Sequence, residues 1–413
     1  METKSNIIKR KKFTPKKLIN VQKRNIAYLN VLSWVLIIRV VLDFINTLFK
    51  KILNFTSTTQ ITTVIYIIAL IISMFVVIKY NDFKIKGVII FSSIIMFFAI
   101  NFIIFENSRR YLLDKNMVLI YIYYLPVSIF VVGSIKDWNI TLDIFRKFAY
   151  IAVLLSTLGI MAISYSDILS YMEFSYSLLP FNCFLYYAFR QNFKLITFFI
   201  FIIGVIDIIV FGARAPVLFL FVFIVLYEII RLRETKVFSK ITIILICMIL
   251  TALLALFNVK IPHLLVKLSV LTNSRFIVKM LNQQLLTSHS RELIYEEANY
   301  ALNNIGINIY GLFGDRLLVN AIYVHNIFYE LLLSFGYIAG GISILALLFI
   351  IIKPIIFNKN RTLKILATLF TTSLFLRYLV SGSFVIEGYF YIYISIMVNI
   401  CIKAKEKIEY EKS

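Results

Sequence analysis

The three histidines of this chain all lie in one polar stretch, between about Asn258 and Gly336. An imidazole changes charge near neutral pH, so a histidine beside a substrate can accept or donate a proton. His263 lies among aliphatic residues, which favours packing at an interface, and His289 favours a solvated loop position. His325 precedes Asn326 and an amphipathic turn. On its own such a histidine is more often structural, but it is the candidate general base of the three.

Two arginines are candidate binding residues for an anion. Arg214 lies in a short turn, residues 211–216, whose small side chains leave the guanidinium accessible. Arg291 follows Ser290, the predicted N-cap of a helix. Free N–H groups at a helix N-terminus and a guanidinium together make a favourable phosphate site, because both present donors to the same oxygens. The pattern predicts a phosphate site at Arg291 and an accessible, functional guanidinium at Arg214.

Three further charged residues, Asp207, Arg377 and Glu387, lie within apolar runs. A charge at mid-membrane costs about 2.5 to 3.5 kcal/mol, so the depth of each is informative. Each falls within about four residues of one end of its run, or roughly 6 Å at 1.5 Å per residue. With Arg214 they converge on the face that holds the histidines. The alternative is plain ion pairing, of Arg377 with Glu387 and of Asp207 with Arg214.

The elements that position these residues belong to a membrane protein. Hydrophobic residues make up 61% of the 413, and the mean hydropathy is +0.88. Apolar runs of roughly 16 to 22 residues recur along the chain. In lipid every backbone polar group must be satisfied internally, and the runs are far longer than barrel strands, so the spans are α-helices. The predicted fold class is an all-α, polytopic integral membrane protein.

The formal net charge of +22 is best explained by membrane topology. Nucleic-acid binding is the competing interpretation, but basic residues beside apolar spans ordinarily act as orientation signals. With both termini in the cytoplasm, about 29 of the 43 Lys and Arg lie inside. This places the histidine-containing loop outside and the chain in the plasma (inner) membrane. Cys183, Cys247 and Cys401 lie in apolar runs without CxxC spacing, so neither a zinc site nor a disulfide is expected.

Twelve spans are predicted, nine before the loop and three after it, and this asymmetry disfavours a transporter built from two similar halves.

The chain divides into a basic cytoplasmic tail (1–26), a nine-span region (27–257), an external loop (258–336), a three-span region (337–402) and a second cytoplasmic tail (403–413). Interfacial helices are predicted in the loop at Ser274–Leu286, Ser290–Asn304 and Val319–Ser334. The predicted spans are Ala27–Leu48, Ile61–Lys79, Gly87–Phe105, Met117–Ile135, Phe148–Ser164, Met172–Phe189, Lys194–Phe211, Ala215–Ile230, Ile241–Phe257, Tyr337–Phe357, Thr362–Val380 and Phe384–Ile402.

Several short patterns occur together between about Asp207 and Ile352. The patterns are the turn Gly212, Ala213, Arg214, Ala215, then Ser290 with Arg291, the pair Gly311 and Gly314, His325 with Asn326, and Gly336. In this order they resemble the superfamily of Wzy polymerases and O-antigen ligases. The chain has Ala213 where that superfamily commonly has a hydroxyl residue.

The resemblance implies glycosyl transfer on the outer membrane face between sugars carried on polyprenyl pyrophosphate, with no cofactor, nucleotide sugar or metal. In that superfamily the arginines matching Arg214 and Arg291 are thought to hold the pyrophosphate, and the histidine matching His325 to assist the acceptor hydroxyl. The physical chemistry agrees, because a diphosphate leaves as a stable anion that fixed guanidinium groups can stabilise. Substrate contacts are expected from Ser290, Asn326, Asp207, Arg377 and Glu387.

The expected product is a capsular polysaccharide, exopolysaccharide or O-antigen, and a chain-length regulator is the protein partner that such a product suggests. An O-antigen-type ligase would share the chemistry. A lipid-linked oligosaccharide flippase or another exporter is the other alternative, supported by Arg39 and Asp43, which as an i,i+4 pair can also neutralise each other.

Metal-dependent membrane glycosyltransferases resemble one another in acidic residues on the first external loop, and Lys50–Gln60 has none. The sequence contains no DxD, P-loop or HExxH motif.

Overall fold

The computed structural model describes residues 15–53, 59–162, 171–210, 214–232, 289–305 and 308–412. All regular structure in these ranges is helical, which confirms the all-α prediction for this part of the chain. The predicted ninth span, Ile241–Phe257, and the first predicted loop helix, Ser274–Leu286, lie outside the described residues. The same holds for His263 and for residues 211–213 of the turn before Arg214.

Long apolar helices make up most of the structure. Among the described residues, five segments are long and apolar enough to cross a membrane: Asn20–Ile45, Ile61–Lys79, Ile85–Ile104, Lys115–Ser134 and Ile327–Ile356. Two shorter apolar helices are Leu195–Val210 and Gly388–Lys403. The composition is that of a helical membrane protein, and the count of twelve spans stays a prediction. The α-helices in chain order are α1 (Pro15–Leu53), α2 (Thr59–Lys79), α3 (Ile85–Ile104), α4 (Glu106–Leu112), α5 (Lys115–Leu119), α6 (Thr141–Ala162), α7 (Tyr171–Gln191), α8 (Leu195–Val210), α9 (Arg214–Leu232), α10 (His289–Ile305), α11 (Gly314–Leu318), α12 (Ile327–Ile356), α13 (Arg361–Phe370) and α14 (Gly388–Lys412).

The helices differ in how far they are buried. Only 17% and 11% of the most apolar stretches of α2 and α3 are buried, and their exposed side chains are mainly isoleucine, valine and phenylalanine. Such faces suit contact with lipid. By contrast, α1 is 61% buried and packs on α6, which packs in turn on α7. These three helices therefore pack against one another in chain order, and α7 is almost wholly buried along its described side chains.

Two of the predicted spans depart from a regular α-helix. The span that starts with α5 continues through π-helical turns at Ile120–Tyr124 and Val127–Val131. The span that starts with α13 continues through a π-helical turn at Thr371–Phe375 and a 3₁₀ turn at Leu376–Leu379. Single π-helical turns inside helices often occur at functional sites. The second of these two spans carries Arg377 in its last turn.

Arginines of α1 take part in two separate groups of ion pairs. In the first group, Arg24 of α1 pairs with Asp82, just after α2, at 3.3 Å. In the second, Arg39 of the same helix pairs with Asp43 at 3.2 Å and also with Glu173 at the start of α7. The rise along α1 from Arg24 to Arg39 is about 22 Å at 1.5 Å per residue. The two groups therefore lie at opposite ends of the bundle.

The chain after α10 packs onto the Arg39 end of the bundle, called the loop end from here on. The backbone N–H of Leu312 donates to Oδ1 of Asn101 at 2.9 Å, near the end of α3. Oγ of Ser108 in α4 donates to the carbonyl of Leu312 at 2.5 Å. The described part of the predicted loop is thus anchored to the membrane helices by side chains that bond its backbone.

The loop helices differ in extent from their prediction. The second, predicted at Ser290–Asn304, is α10 and differs by one residue at each end. The third, predicted at Val319–Ser334, begins at Ile327 instead and continues through the predicted tenth span. Gly336 interrupts this helix with φ 70° and ψ 179°, a conformation open to glycine. The interfacial helix and the span are therefore two parts of α12 on either side of one break.

Candidate functional site

His325 lies in a tight turn that is held on both sides. Before it, Oδ2 of Asp315 accepts a hydrogen bond from the N–H of Val324 at 3.4 Å. After it, Oδ1 of Asn326 accepts from the N–H of Phe328 at 2.9 Å and caps α12. His325 itself has φ 60°, in the left-handed region that few non-glycine residues adopt. The neighbouring bonds fix the backbone in this uncommon conformation.

The imidazole of His325 is packed and partly buried. Its ring centroid lies 4.2 Å from that of Tyr323. Its Nδ1 atom is buried and has no hydrogen-bond partner among the described residues. Burial, and then the positive charge of Arg291, lower the pKa of His325 from 6.5 to about 4. The imidazole is therefore neutral at pH 7, the form that can accept a proton.

Arg291 lies in the first turn of α10, near His325. It is half-buried, and its charge acts both on His325 and on the phenol of Tyr176 in α7. Ser290, predicted as the N-cap, is the second residue of this helix. The structure thus brings together two predicted site residues that lie more than thirty positions apart in the sequence. The electrostatic action of Arg291 on His325, whose backbone is held at φ 60°, is the central feature of the candidate site.

Arg377 and Glu387 form an ion pair, with 2.6 Å between Nη2 and Oε2. The guanidinium also lies over the ring of Tyr176, 4.9 Å from its centroid. Gly382, at φ 97°, lets the intervening loop pass against the carboxylate of Glu387, where a Cβ would have no room. The ion pair that the sequence suggested is present. Because Tyr176 also interacts with the charge of Arg291, the ion pair borders the polar region that contains Arg291 and His325.

Asp207 and Arg214 are placed differently from the pairing that the sequence suggested. Asp207 is buried in α8 and accepts a hydrogen bond from Oγ1 of Thr157 in α6 at 3.0 Å. Arg214 is the first residue of α9 and is half-buried. Among the described residues, the contacts of Asp207 are with the hydroxyl groups of Thr157 and Ser156 in α6. The predicted roles of both residues in substrate binding stay predictions.

Asn326, which was predicted to contact the substrate, also stabilises the start of α12. Beyond its bond to Phe328, its Oδ1 lies 3.5 Å from the N–H of Tyr329. Its Nδ2 donates to the carbonyl of Leu379 at 3.4 Å, which ties the start of α12 to the end of the span that carries Arg377. A substrate that bonded this amide would compete with the helix cap.

Sequence reasoning missed the buried carboxylates that hold this region. Asp315, which bonds the turn described above, is fully buried, and Glu330 is 1% exposed. The carboxylate of Glu330 accepts hydrogen bonds from Oγ of Ser383 and from the N–H of Phe384, the latter at 3.2 Å. A signal was available, because a glutamate in an apolar helical stretch is seldom buried without polar partners. Its partners, some fifty residues away, were not visible.

Arg39 and Asp43 also lie at the loop end, and pairing accounts for them. Arg39 contacts the carboxylates of both Asp43 and Glu173, so the neutralising alternative holds for this pair. Glu173 was not singled out by sequence reasoning. Its position at the start of α7 brings it close to the polar region that Tyr176 borders, one turn further along the same helix.

Comparisons with known proteins find no relative: no protein-family model, curated protein or solved structure matches the chain. Among the described residues no group of three or more His, Cys, Asp or Glu side chains is placed to hold a metal ion. The cation that acts on His325 is the guanidinium of Arg291. The chemistry of the site is therefore argued from these two side chains and from the polar residues around them.

Proposed function

We propose that this chain is a polysaccharide polymerase of the plasma (inner) membrane that joins polyprenyl-pyrophosphate-linked oligosaccharide repeat units on the outer face. The observation that carries the proposal is a neutral, partly buried His325 beside the positive charge of Arg291 at the loop end. Transfer of a sugar from pyrophosphate needs one group that accepts a hydroxyl proton and one that stabilises the leaving diphosphate. These two side chains supply both.

In the proposed step, a hydroxyl of an incoming repeat unit attacks the anomeric carbon of the growing chain. His325 takes the hydroxyl proton as the new C–O bond forms, and the bond from the anomeric carbon to the pyrophosphate breaks. The electron pair leaves with the polyprenyl pyrophosphate, whose charge is stabilised by Arg291 and by Arg214. Planar guanidinium groups suit this role, because they donate two parallel hydrogen bonds to phosphate oxygens.

Substrate binding would change the pKa of His325. Burial, and second to it the charge of Arg291, hold the pKa of His325 near 4, so the imidazole is a weak base without substrate. A bound diphosphate offsets that charge, so the pKa of His325 rises toward its ordinary value. An imidazole with a pKa nearer the working pH is a more effective general base. The residue therefore becomes most basic when the donor is in place.

A ligase and an exporter are the two alternatives to a polymerase. A ligase that transfers the finished glycan to another acceptor would use the same base and the same cations, so the site supports both. The exporter alternative drew on Arg39 and Asp43 as charges inside the membrane. Their ion pairs, including the contact with Glu173, account for these charges without a transport path. This supports the transferase over the exporter.

The proposal is tested by His325→Ala, with His263→Ala as a matched control from the same predicted loop. General-base removal typically lowers a rate by roughly 10² to 10⁴. Cells with His325→Ala should hold single repeat units on the outer face and make no long polymer, whereas His263→Ala cells should polymerise normally. Long polymer at normal rate from His325→Ala would remove the base assignment. Units that accumulate on the inner face would favour the exporter.

The role of the guanidinium groups is tested by Arg214→Lys and Arg291→Lys. Lysine keeps the charge but loses the planar pair of donors, so both variants should polymerise poorly. Purified enzyme should also keep its rate in excess chelator, because the proposed step uses no divalent cation. Near-normal polymer from both lysine variants, or activity that returns only with magnesium, would contradict this arrangement.

The orientation is tested with a single cysteine at Asn303, an exposed residue of α10. The positive-inside rule places α10 outside, so the cysteine should react with an impermeant thiol reagent in intact cells. Labelling only after permeabilisation would place the site on the cytoplasmic face and contradict the proposal.

A further inference from the structure

A cleft of about 540 Å³ lies between α10 and the chain from α11 onward. One wall is formed by Glu296, Glu297 and Tyr300 of α10, and the other by residues from Arg316 to Asn320. Its volume falls within the range of about 300 to 1,000 Å³ that is typical of small-molecule sites. Neither the proposed base nor the proposed phosphate ligands line it. The cleft is therefore a separate feature of the loop end.

The two walls are fixed relative to each other. Oε2 of Glu297 accepts a hydrogen bond from the N–H of Asn320 at 2.8 Å, which joins α10 to the opposite wall. On that wall the guanidinium of Arg316 lies 4.7 Å from the ring centroids of both Tyr111 and Phe313. These aromatic contacts hold the cation in one place. One hydrogen bond thus joins the two walls, and two ring contacts hold the guanidinium that lines the cleft.

The hydrogen-bonding capacity of Arg316 is not fully used. Its Nε and Nη2 atoms are buried, and they have no acceptor among the described residues. Arg316 as a whole is only half-buried and lines the cleft, so an oxygen of a ligand can accept a hydrogen bond from the accessible part of its guanidinium. Opposite it, the exposed carboxylates of Glu296 and Glu297 present acceptors. The walls therefore offer donors on one side and acceptors on the other.

This lining favours a ligand that has many hydroxyl groups and no negative charge. The two carboxylates of Glu296 and Glu297 would repel an anion. A sugar can donate its hydroxyl protons to the carboxylates and accept from the guanidinium at the same time. The ring of Tyr300, 74% exposed, adds a flat apolar surface against which the C–H face of a pyranose can pack.

The cleft lies close to the candidate catalytic turn. Asp315 and Arg316 are neighbours in the short helix α11, where Asp315 bonds Val324 beside His325 and Arg316 lines the cleft. We propose that this cleft binds neutral sugar residues of the lipid-linked glycan, those beyond the sugar that reacts at His325. The assignment rests on the proposed polymerase function and adds to it a site for the glycan, separate from the site for the pyrophosphate.

The test measures glycan binding without catalysis. The probe is the water-soluble oligosaccharide released by mild acid from the cell's own lipid-linked repeat units, titrated into the full-length protein in lipid nanodiscs. Glu296→Ala and Tyr300→Ala change exposed side chains, so the fold should be kept, and Arg316→Ala removes the cation. Each should weaken binding about tenfold or more, the loss expected for one charged hydrogen bond or one ring contact. Asn303→Ala, another exposed residue of α10, is the matched control and should bind normally.

His325→Ala separates this inference from the proposed function, because it should abolish polymerisation and still bind the oligosaccharide with unchanged affinity. Failure of the wild-type protein to bind the probe, or normal binding by all three cleft variants, would overturn the cleft assignment. If the cleft variants lose binding as expected but cells lacking the protein still make polymer, the cleft stands as a saccharide site and the polymerase proposal fails.

Discussion

The pKa of His325 is the most direct physical test of the candidate site, because it depends on two separate features of the structure. Burial of the imidazole is the larger cause of its low value, and the charge of Arg291 is the second. Replacing Arg291 by glutamine removes the second cause only. The pKa of His325 should therefore rise from about 4 in Arg291→Gln but stay below its ordinary value of 6.5.

The difference is large enough to measure at mild pH. At pH 5.5 an imidazole with a pKa of 6.5 is only about 10% neutral, whereas one with a pKa of about 4 is about 97% neutral. The sign of the stability effect follows from the same shift. The unfolded chain binds a proton near pH 6.5 that the folded chain does not bind, so the free energy of unfolding decreases as the pH falls from about 6.5 toward 4.

The assay uses a protein in which His325 is the sole histidine, made by replacing His263 and His289 with glutamine. The Cε1 carbon of ¹³C-labelled histidine then gives one NMR signal, whose chemical shift follows protonation as the pH is lowered from neutral through the expected midpoint near 4. Arg110→Gln is the control, because Arg110 is exposed, lies over Tyr111 and does not act on His325. A midpoint near 6.5 in the parent protein, or equal midpoints in Arg291→Gln and the parent, would refute the reasoning.

Three further substitutions test how the site is held. Gly314→Ala should lower the free energy of unfolding by about 1 to 3 kcal/mol, because a Cβ there would overpack against α12, and thermal unfolding in detergent measures this loss. Glu330→Ala leaves the hydroxyl of Ser383 without its acceptor and should cost about 1 to 3 kcal/mol, whereas Glu330→Gln, which keeps an acceptor, should lose less in the same assay. Arg377→Gln leaves the carboxylate of Glu387 unpaired and should cost about 3 to 5 kcal/mol. Adding Glu387→Gln to that variant should restore much of the melting temperature, and no recovery would show that the pair is not a stability element.

Hydropathy predicted the individual helices of the bundle well. The helices α7, Tyr171–Gln191, and α9, Arg214–Leu232, lie within two residues of the predicted spans Met172–Phe189 and Ala215–Ile230. The reason is that a helix in lipid needs an unbroken run of apolar residues, which the sequence displays directly. Hydropathy describes only one local stretch of the chain at a time. It gives the apolar part of each described helix, whereas α1, α6 and α14 extend beyond their predicted spans by 12, 7 and 10 residues at one end. It also does not show which helices are neighbours.

Contacts between distant parts of the chain were therefore the least predictable. The pairing of Arg377 with Glu387 was foreseen because the two residues end neighbouring spans. The pairing of Arg39 with Glu173, and the bond from Ser383 to Glu330, depend on how distant helices pack, and a single sequence does not carry that information. The start of α12 was misplaced for a related reason, since Asn326 caps the helix through its own side chain and the apolar pattern alone placed the start earlier.

The short helix α11 connects these packing contacts to the proposed chemistry. A Cβ on Gly314 would lie 2.8 Å from the carbonyl oxygen of Leu333, so glycine lets α11 lie directly against the backbone of α12. In that position Asp315 reaches the turn that carries His325, and Arg316 reaches the cleft beside α10. One close contact between backbones thus sets the positions of both the proposed base and the proposed glycan site. The sequence shows Gly311 and Gly314 in this segment, but only the packing of α11 on α12 determines which side chains the segment presents, and to which sites.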